Sequence, residues 1–180
     1  KSSSKIGLQL DSFSDLISFS IAPSFLMFDV MQNSERFMSS TLEEGSLIPY
    51  FSFLLIPFSM YRLARFNSGI SMINFQGLPT PAVGLFFMSL PFLQIDLSPT
   101  ILIILIIIFS FLMVSSIEFY SIKINVKDNM RFLLILLVLY VIVFLGLIII
   151  EEDLLSFFSI SIIIYVTLNL VLKIFTRKKL

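Results

Sequence analysis

The sequence predicts an all-α fold, a polytopic bundle of about six transmembrane helices forming one domain over residues 1–180. Three observations predict it. Apolar residues make up 57% of the chain and charged residues only 13%, against roughly 25% charged in ordinary soluble domains. The apolar residues gather into runs that approach the ~20 needed to cross a bilayer as a helix. The connectors between those runs alternate in charge.

The first run, Leu10–Met31, carries no charge between Asp15 and Asp29. The second, Leu47–Ala64, leads into the polar string Tyr61–Asn67, YRLARFN. The third, Thr80–Leu93, is short and holds Pro81 and Pro91, so it is expected to be tilted, broken or partly re-entrant. The fourth, Thr100–Ile122, opens on the β-branched string ILIILIIIF; its setting argues for a span, because lipid demands an internally bonded backbone. The fifth and sixth are Phe132–Ile150 and Leu154–Phe175. The closing TRKKL reads as an orientation signal and a contact for anionic lipid.

Eleven of the twelve Lys and Arg residues lie at the N-terminus, at Arg62 and Arg65, from Lys123 to Arg131, or from Lys173 onward, and the twelfth is Arg36. The other connectors hold Glu35, Glu43, Glu44, Asp96 and Glu151–Asp153. Six alternating spans require this partition. The positive-inside rule then places both termini, Asp11, Asp15 and the arginine pair on the cytoplasmic face of the cell (inner) membrane.

Cys and His are absent, which excludes disulfides, thiolate metal sites and cysteine nucleophiles and removes the usual general base. Any chemistry must use carboxylates, Lys, Arg, Tyr or hydroxyls. The chain opens on Lys1 with a basic, Ser-rich start and no apolar signal region. It is therefore expected to be processed or a fragment.

On a helix, Gly7, Asp11, Asp15, Ser18 and Ala22 share one face, which should turn towards a bundle interior or a wet cavity. Phe13, Leu16, Ile17 and Phe19 lie on the other sides. Carboxylates at i, i+4 repel, and an Asp at mid-membrane costs about 2.5–3.5 kcal/mol, less at the entrance. A hard divalent cation such as Mg²⁺ would offset that repulsion, since it takes oxygen ligands and shares them with phosphates. The alternative is that Asp11 is an N-cap and Asp15 a first-turn acid favoured by the helix dipole. Arg62 and Arg65, at i, i+3, suit bidentate phosphate or carboxylate contact, or else snorkel at a span end. The segment SGISMINFQGLPTP brings Asn74, Gln76 and two prolines to the same face and reads as an ordered turn. Glu118, with Ser115 and Ser116, suits a structural or interfacial role.

These segments resemble a known family. GLQLDSFSD matches the second half of the CDP-alcohol phosphotransferase signature, D-x2-D-G-x2-A-R-x8-G-x3-D-x3-D, with Gly7, Asp11 and Asp15 on its last three fixed positions. LISFSIAPSF, YRLARFN and FQGLPTP resemble the phosphatidylserine synthase branch, and the likeness covers about Ser3 to Pro81. The first half of the signature would precede Lys1, so the resemblance implies an N-terminally truncated chain lacking two of four family aspartates.

The resemblance implies an integral membrane transferase in which the hydroxyl of L-serine attacks the β-phosphate of CDP-diacylglycerol, giving phosphatidylserine and CMP. It implies divalent cations, Mg²⁺ or Mn²⁺, held by Asp11 and Asp15, with Asp15 also the general base. Gly7 would admit the nucleotide, and Arg62, Arg65, Asn67 and Gln76 would bind substrate. The implied partners are CDP-diacylglycerol, L-serine, membrane lipids and a second copy of the chain; no nucleic acid is expected. Two alternatives are the same chemistry on glycerol 3-phosphate or an inositol phosphate, and, from another class, a small membrane transporter.

Overall fold

The computed structural model describes residues 4–33, 47–68, 76–93, 95, 97–117, 130–150, 153 and 155–177. Every regular element among them is helical. α1 (Lys5–Leu16) is capped by Ser4, whose Oγ accepts the Gly7 N–H at 3.0 Å. A π-turn over Ile17–Ile21 follows, and α2 (Ala22–Gln32) continues without a break. Pro23 has no N–H to offer the Phe19 carbonyl four residues back, and this turn of wider winding absorbs the defect.

A 3₁₀ turn, Ile48–Leu54, runs into α3 (Leu55–Asn67). α4 (Thr80–Ser89) tightens into a 3₁₀ turn over Leu90–Leu93, where Pro91 ends regular α-winding, so the third run is short and broken at its far end, as its prolines predict. α5 (Pro99–Val114) has Ser98 as its N-cap. α6 (Met130–Ile150) and α7 (Ser156–Arg177) complete the chain. The six helical segments fall on the six expected runs with one clear correction. α5 stops at Val114, eight residues before the expected Ile122, because Ser115 turns extended (ψ 153°) and bonds back to the Phe111 and Leu112 carbonyls. Glu118 and Asn74 lie outside the described residues.

α4, the least span-like run by sequence, is the most enclosed helix. It packs on the π-turn, α2 and α7, and Phe86 and Phe87 are completely buried. Phe86 stacks on Phe109 of α5 with ring centres 4.3 Å apart and planes 9° apart, and Phe87 meets Phe109 edge-on at 5.5 Å. Met27, Met31, Leu55, Leu78, Ile106 and Met113 surround them. The close approach of α4 to the first helix depends on Gly84. A Cβ there would stand 2.6 Å from the Cα of Phe19.

The interior also holds Ser20, Ser24, Ser52, Ser59, Ser89, Ser110 and Ser159. Small hydroxylated residues between helices are what lipid favours, because apolar burial no longer distinguishes a neighbouring helix from an acyl chain. By length and composition, Ile6–Gln32 is the one described helix long and apolar enough to cross a membrane; Thr80–Leu93, Pro99–Val114, Leu137–Ile148 and Ser156–Leu170 are apolar but shorter.

Candidate functional site

Asp11 lies midway along α1 and Asp15 in its last turn, seven and eleven residues past the Ser4 cap. Neither is an N-cap or a first-turn acid, so the helix dipole does not explain them. The pair stays together one turn apart, each side chain within electrostatic range of the other, and Asp15 also feels Arg62. Among the described residues neither carboxylate has a hydrogen bond or ion pair.

The face they occupy differs from expectation. Gly7, Asp11, Ser18 and Ala22 are exposed, and only Asp15 is half-buried. The inward line instead runs through Ser12, Leu16, Phe19, Pro23 and Met27. The reason is packing: Phe19 must meet α4 at Gly84, and that contact rotates the small and acidic stripe to the edge of the bundle. Gly7 bonds the cap, and a Cβ there would come 3.1 Å from the Ser4 Oγ.

The C-terminal turns of α3 face this edge of α1. Asn67 Nδ2 donates to Ser12 Oγ at 2.8 Å, which ties α3 to the residue beside Asp11. The Asn67 Oδ1 is buried without a partner. Arg62 donates from Nη1 to Thr80 Oγ1 at 2.9 Å, while its Nε is buried and unbonded. A guanidinium half removed from water whose described hydrogen-bond partner is one neutral hydroxyl is left with an unsatisfied buried donor. Arg65 donates from Nη1 to the Val114 carbonyl at 3.2 Å and from Nη2 to Gln76 Oε1 at 3.3 Å.

Of the residues singled out by sequence, Asp15, Arg62, Arg65, Asn67 and Gln76 lie at one end of the bundle, where α1, α3, the turn into α4 and the end of α5 meet, and Gly7 and Asp11 lie on the exposed side of α1. Three participants were missed. Thr80 and Ser12 are ordinary hydroxyls whose partners come from distant helices. Gly77 has φ +77°, and a Cβ there would lie 2.1 Å from the Met113 carbonyl oxygen; its place in FQGLPTP was the available signal. Among the described residues no group of three or more acidic side chains, His or Cys forms a metal cluster.

No family model matches the chain. It is 33% identical over 129 residues to the CDP-diacylglycerol–serine O-phosphatidyltransferase of Bacillus subtilis (strain 168), covering 71% of this chain and 66% of that protein. It is also 33% identical over 116 residues to the protein of the same name from Methanocaldococcus jannaschii, covering 64% of this chain and 50% of that one. The matched region thus spans between half and two thirds of those relatives. The chain belongs to their family, the phosphatidylserine synthase branch that its motifs resemble.

Proposed function

We propose that this protein transfers the phosphatidyl group of CDP-diacylglycerol to L-serine at the cytoplasmic border of a membrane that it crosses six times. The observation that carries the proposal is Asp15, without a hydrogen bond among the described residues, within electrostatic range of both Asp11 and an incompletely bonded Arg62, in a chain of this family. One substrate keeps its acyl chains in lipid while serine arrives from water, so a polar site at one end of an apolar bundle is where they can meet.

The chain's own residues act as follows. Asp15 accepts the proton of the serine hydroxyl, the role that a chain without His must give to a carboxylate. The serine oxygen forms its bond to the β-phosphorus as the bond from that phosphorus to the CMP oxygen breaks, and the electron pair leaves with CMP. Arg62 holds an anionic oxygen of the substrate, and Gly7 and Asn67 line the approach. Two mutually repelling carboxylates without a hydrogen bond or ion pair among the described residues suit a hard cation. Asp11 and Asp15 would hold Mg²⁺ or Mn²⁺, which supplies charge neutralisation for the diphosphate.

The test is CMP release from CDP-diacylglycerol by the full natural protein, with serine, glycerol 3-phosphate and inositol phosphate as rival acceptors. Serine-dependent release that stops with a divalent-cation chelator and returns with Mg²⁺ or Mn²⁺ is expected. Release with another alcohol alone overturns the acceptor; no release overturns the activity. Asp15→Asn should lower kcat by about 10²–10⁴, and near-normal turnover would remove Asp15 as the base.

A further inference from the structure

Sequence leaves Arg62 and Arg65 interchangeable as anion ligands, but their surroundings separate them. A helix leaves its last four carbonyls without intrahelical partners. At the end of α5, the Phe111 carbonyl accepts the Ser115 N–H at 2.9 Å and the Leu112 carbonyl accepts the Leu78 N–H at 3.0 Å. The Val114 carbonyl accepts from Arg65, whose charge also complements the negative end of the helix dipole.

The second arm of Arg65 holds Gln76, two residues before Leu78. Between them sits Gly77, whose N–H reaches the Ile117 carbonyl at 2.8 Å and whose Cβ position is filled by the Met113 backbone. Arg65 thus joins three elements: α3, the turn into α4, and the end of α5. Both of its arms are occupied by this chain. Arg62, one turn earlier, keeps a buried Nε with nothing to bond.

We propose that Arg65 is a positioning residue: its clasp on Gln76 and the Val114 carbonyl fixes α3 against the start of α4, so that Arg62 faces Asp15 and takes the substrate anion. This rests on the proposed transfer and deepens it. Thr80, the partner of Arg62, follows Gln76 by four residues, so a loosened clasp displaces both ends of the Arg62 contact. Misplacement of this kind degrades the geometry of attack more than it degrades binding.

The experiment uses the full natural protein with Arg65→Gln, Gln76→Ala and the double variant. Thermal unfolding in detergent reads the clasp without reference to activity, and CMP release reads its consequence. Each single variant should lower Tm, and the double should be no worse than Arg65→Gln, because residues that share one contact do not add. Below the unfolding range, kcat should fall about tenfold while the KM values for serine and CDP-diacylglycerol stay within about twofold.

Additive losses of Tm would overturn the clasp. A roughly tenfold rise in either KM with kcat retained would make Arg65 a substrate ligand instead. Unchanged kcat and KM would reduce it to a brace remote from the chemistry and equally overturn the proposal. If Arg65→Gln does not fold, Gln76→Ala carries the kinetic test alone, with a smaller loss of kcat and the same split expected. A wild type without serine-dependent release refutes the transfer, and the thermal cycle then still decides the clasp.

Discussion

At the junction of α1, α3, α4 and α5 the contacts are directional: an amide on a hydroxyl, a guanidinium on a helix end, and two glycines with backbone where a Cβ would be. α6 offers the opposite case. It packs chiefly on α7, and Leu134, Leu137, Val138, Val141, Phe144, Leu145 and Ile148 of its surface are exposed. Its described contacts are two ring pairs, Tyr140 and Phe144 edge-on to Phe157 at 6.0 and 5.8 Å, and one long hydrogen bond that the Tyr140 hydroxyl donates to the Ser161 carbonyl at 3.5 Å. Gly146, unlike Gly77 and Gly84, has no heavy atom within 4 Å of its Cβ position. The difference teaches where position matters in this molecule. The proposed transfer needs atoms held to a fraction of an ångström, whereas a helix packed chiefly on one neighbour needs only an apolar surface.

The three glycines test that contrast. Gly77→Val should have the largest effect, because a left-handed non-glycine residue alone costs about 1–3 kcal/mol and the carbonyl 2.1 Å away is backbone that yields little. Loss of most of the folded protein is expected by size-exclusion chromatography in detergent. A well-folded Gly77→Val protein would show that the clasp of the FQGLPTP turn on α5 is dispensable.

Gly84→Ala comes next. Overpacking of a close helix crossing costs about 1–3 kcal/mol, seen as a lower Tm. Turnover should also fall, since Phe19 sits one turn from Asp15. Ser159→Ala should cost less. It removes the hydroxyl pair with Ser89 at 2.5 Å, but Ser89 keeps its own Leu85 carbonyl at 2.7 Å, and such interhelical bonds average about 0.6 kcal/mol. Gly146→Ala should be neutral or stabilise by up to about 1 kcal/mol through helix propensity. A lower Tm for that variant would sharpen the comparison by revealing a close partner on α6.

Several features were legible in the sequence because they depend on local chemistry. Pro91 ends α-winding wherever the third run lies. Asp11 and Asp15 are one turn apart wherever the helix lies. The partners of those groups were not legible. Nothing local tells Asn67 to find Ser12, fifty-five residues away, or Arg62 to find Thr80. The end of α5 was misread for the same reason: ILIILIIIF continues into apolar residues past Val114, and its stop depends on Ser115 bonding back and on Leu78 and Arg65 arriving from elsewhere to take the open carbonyls.

By itself the sequence determined the helices and their apolar surfaces, because periodicity and hydropathy act over a few turns. Only the tertiary structure decided which face of α1 turns inward and which arginine is left with an open donor. Those outcomes depend on how closely backbones approach, as at Gly84 and Gly77, and close approach is a property of two segments together.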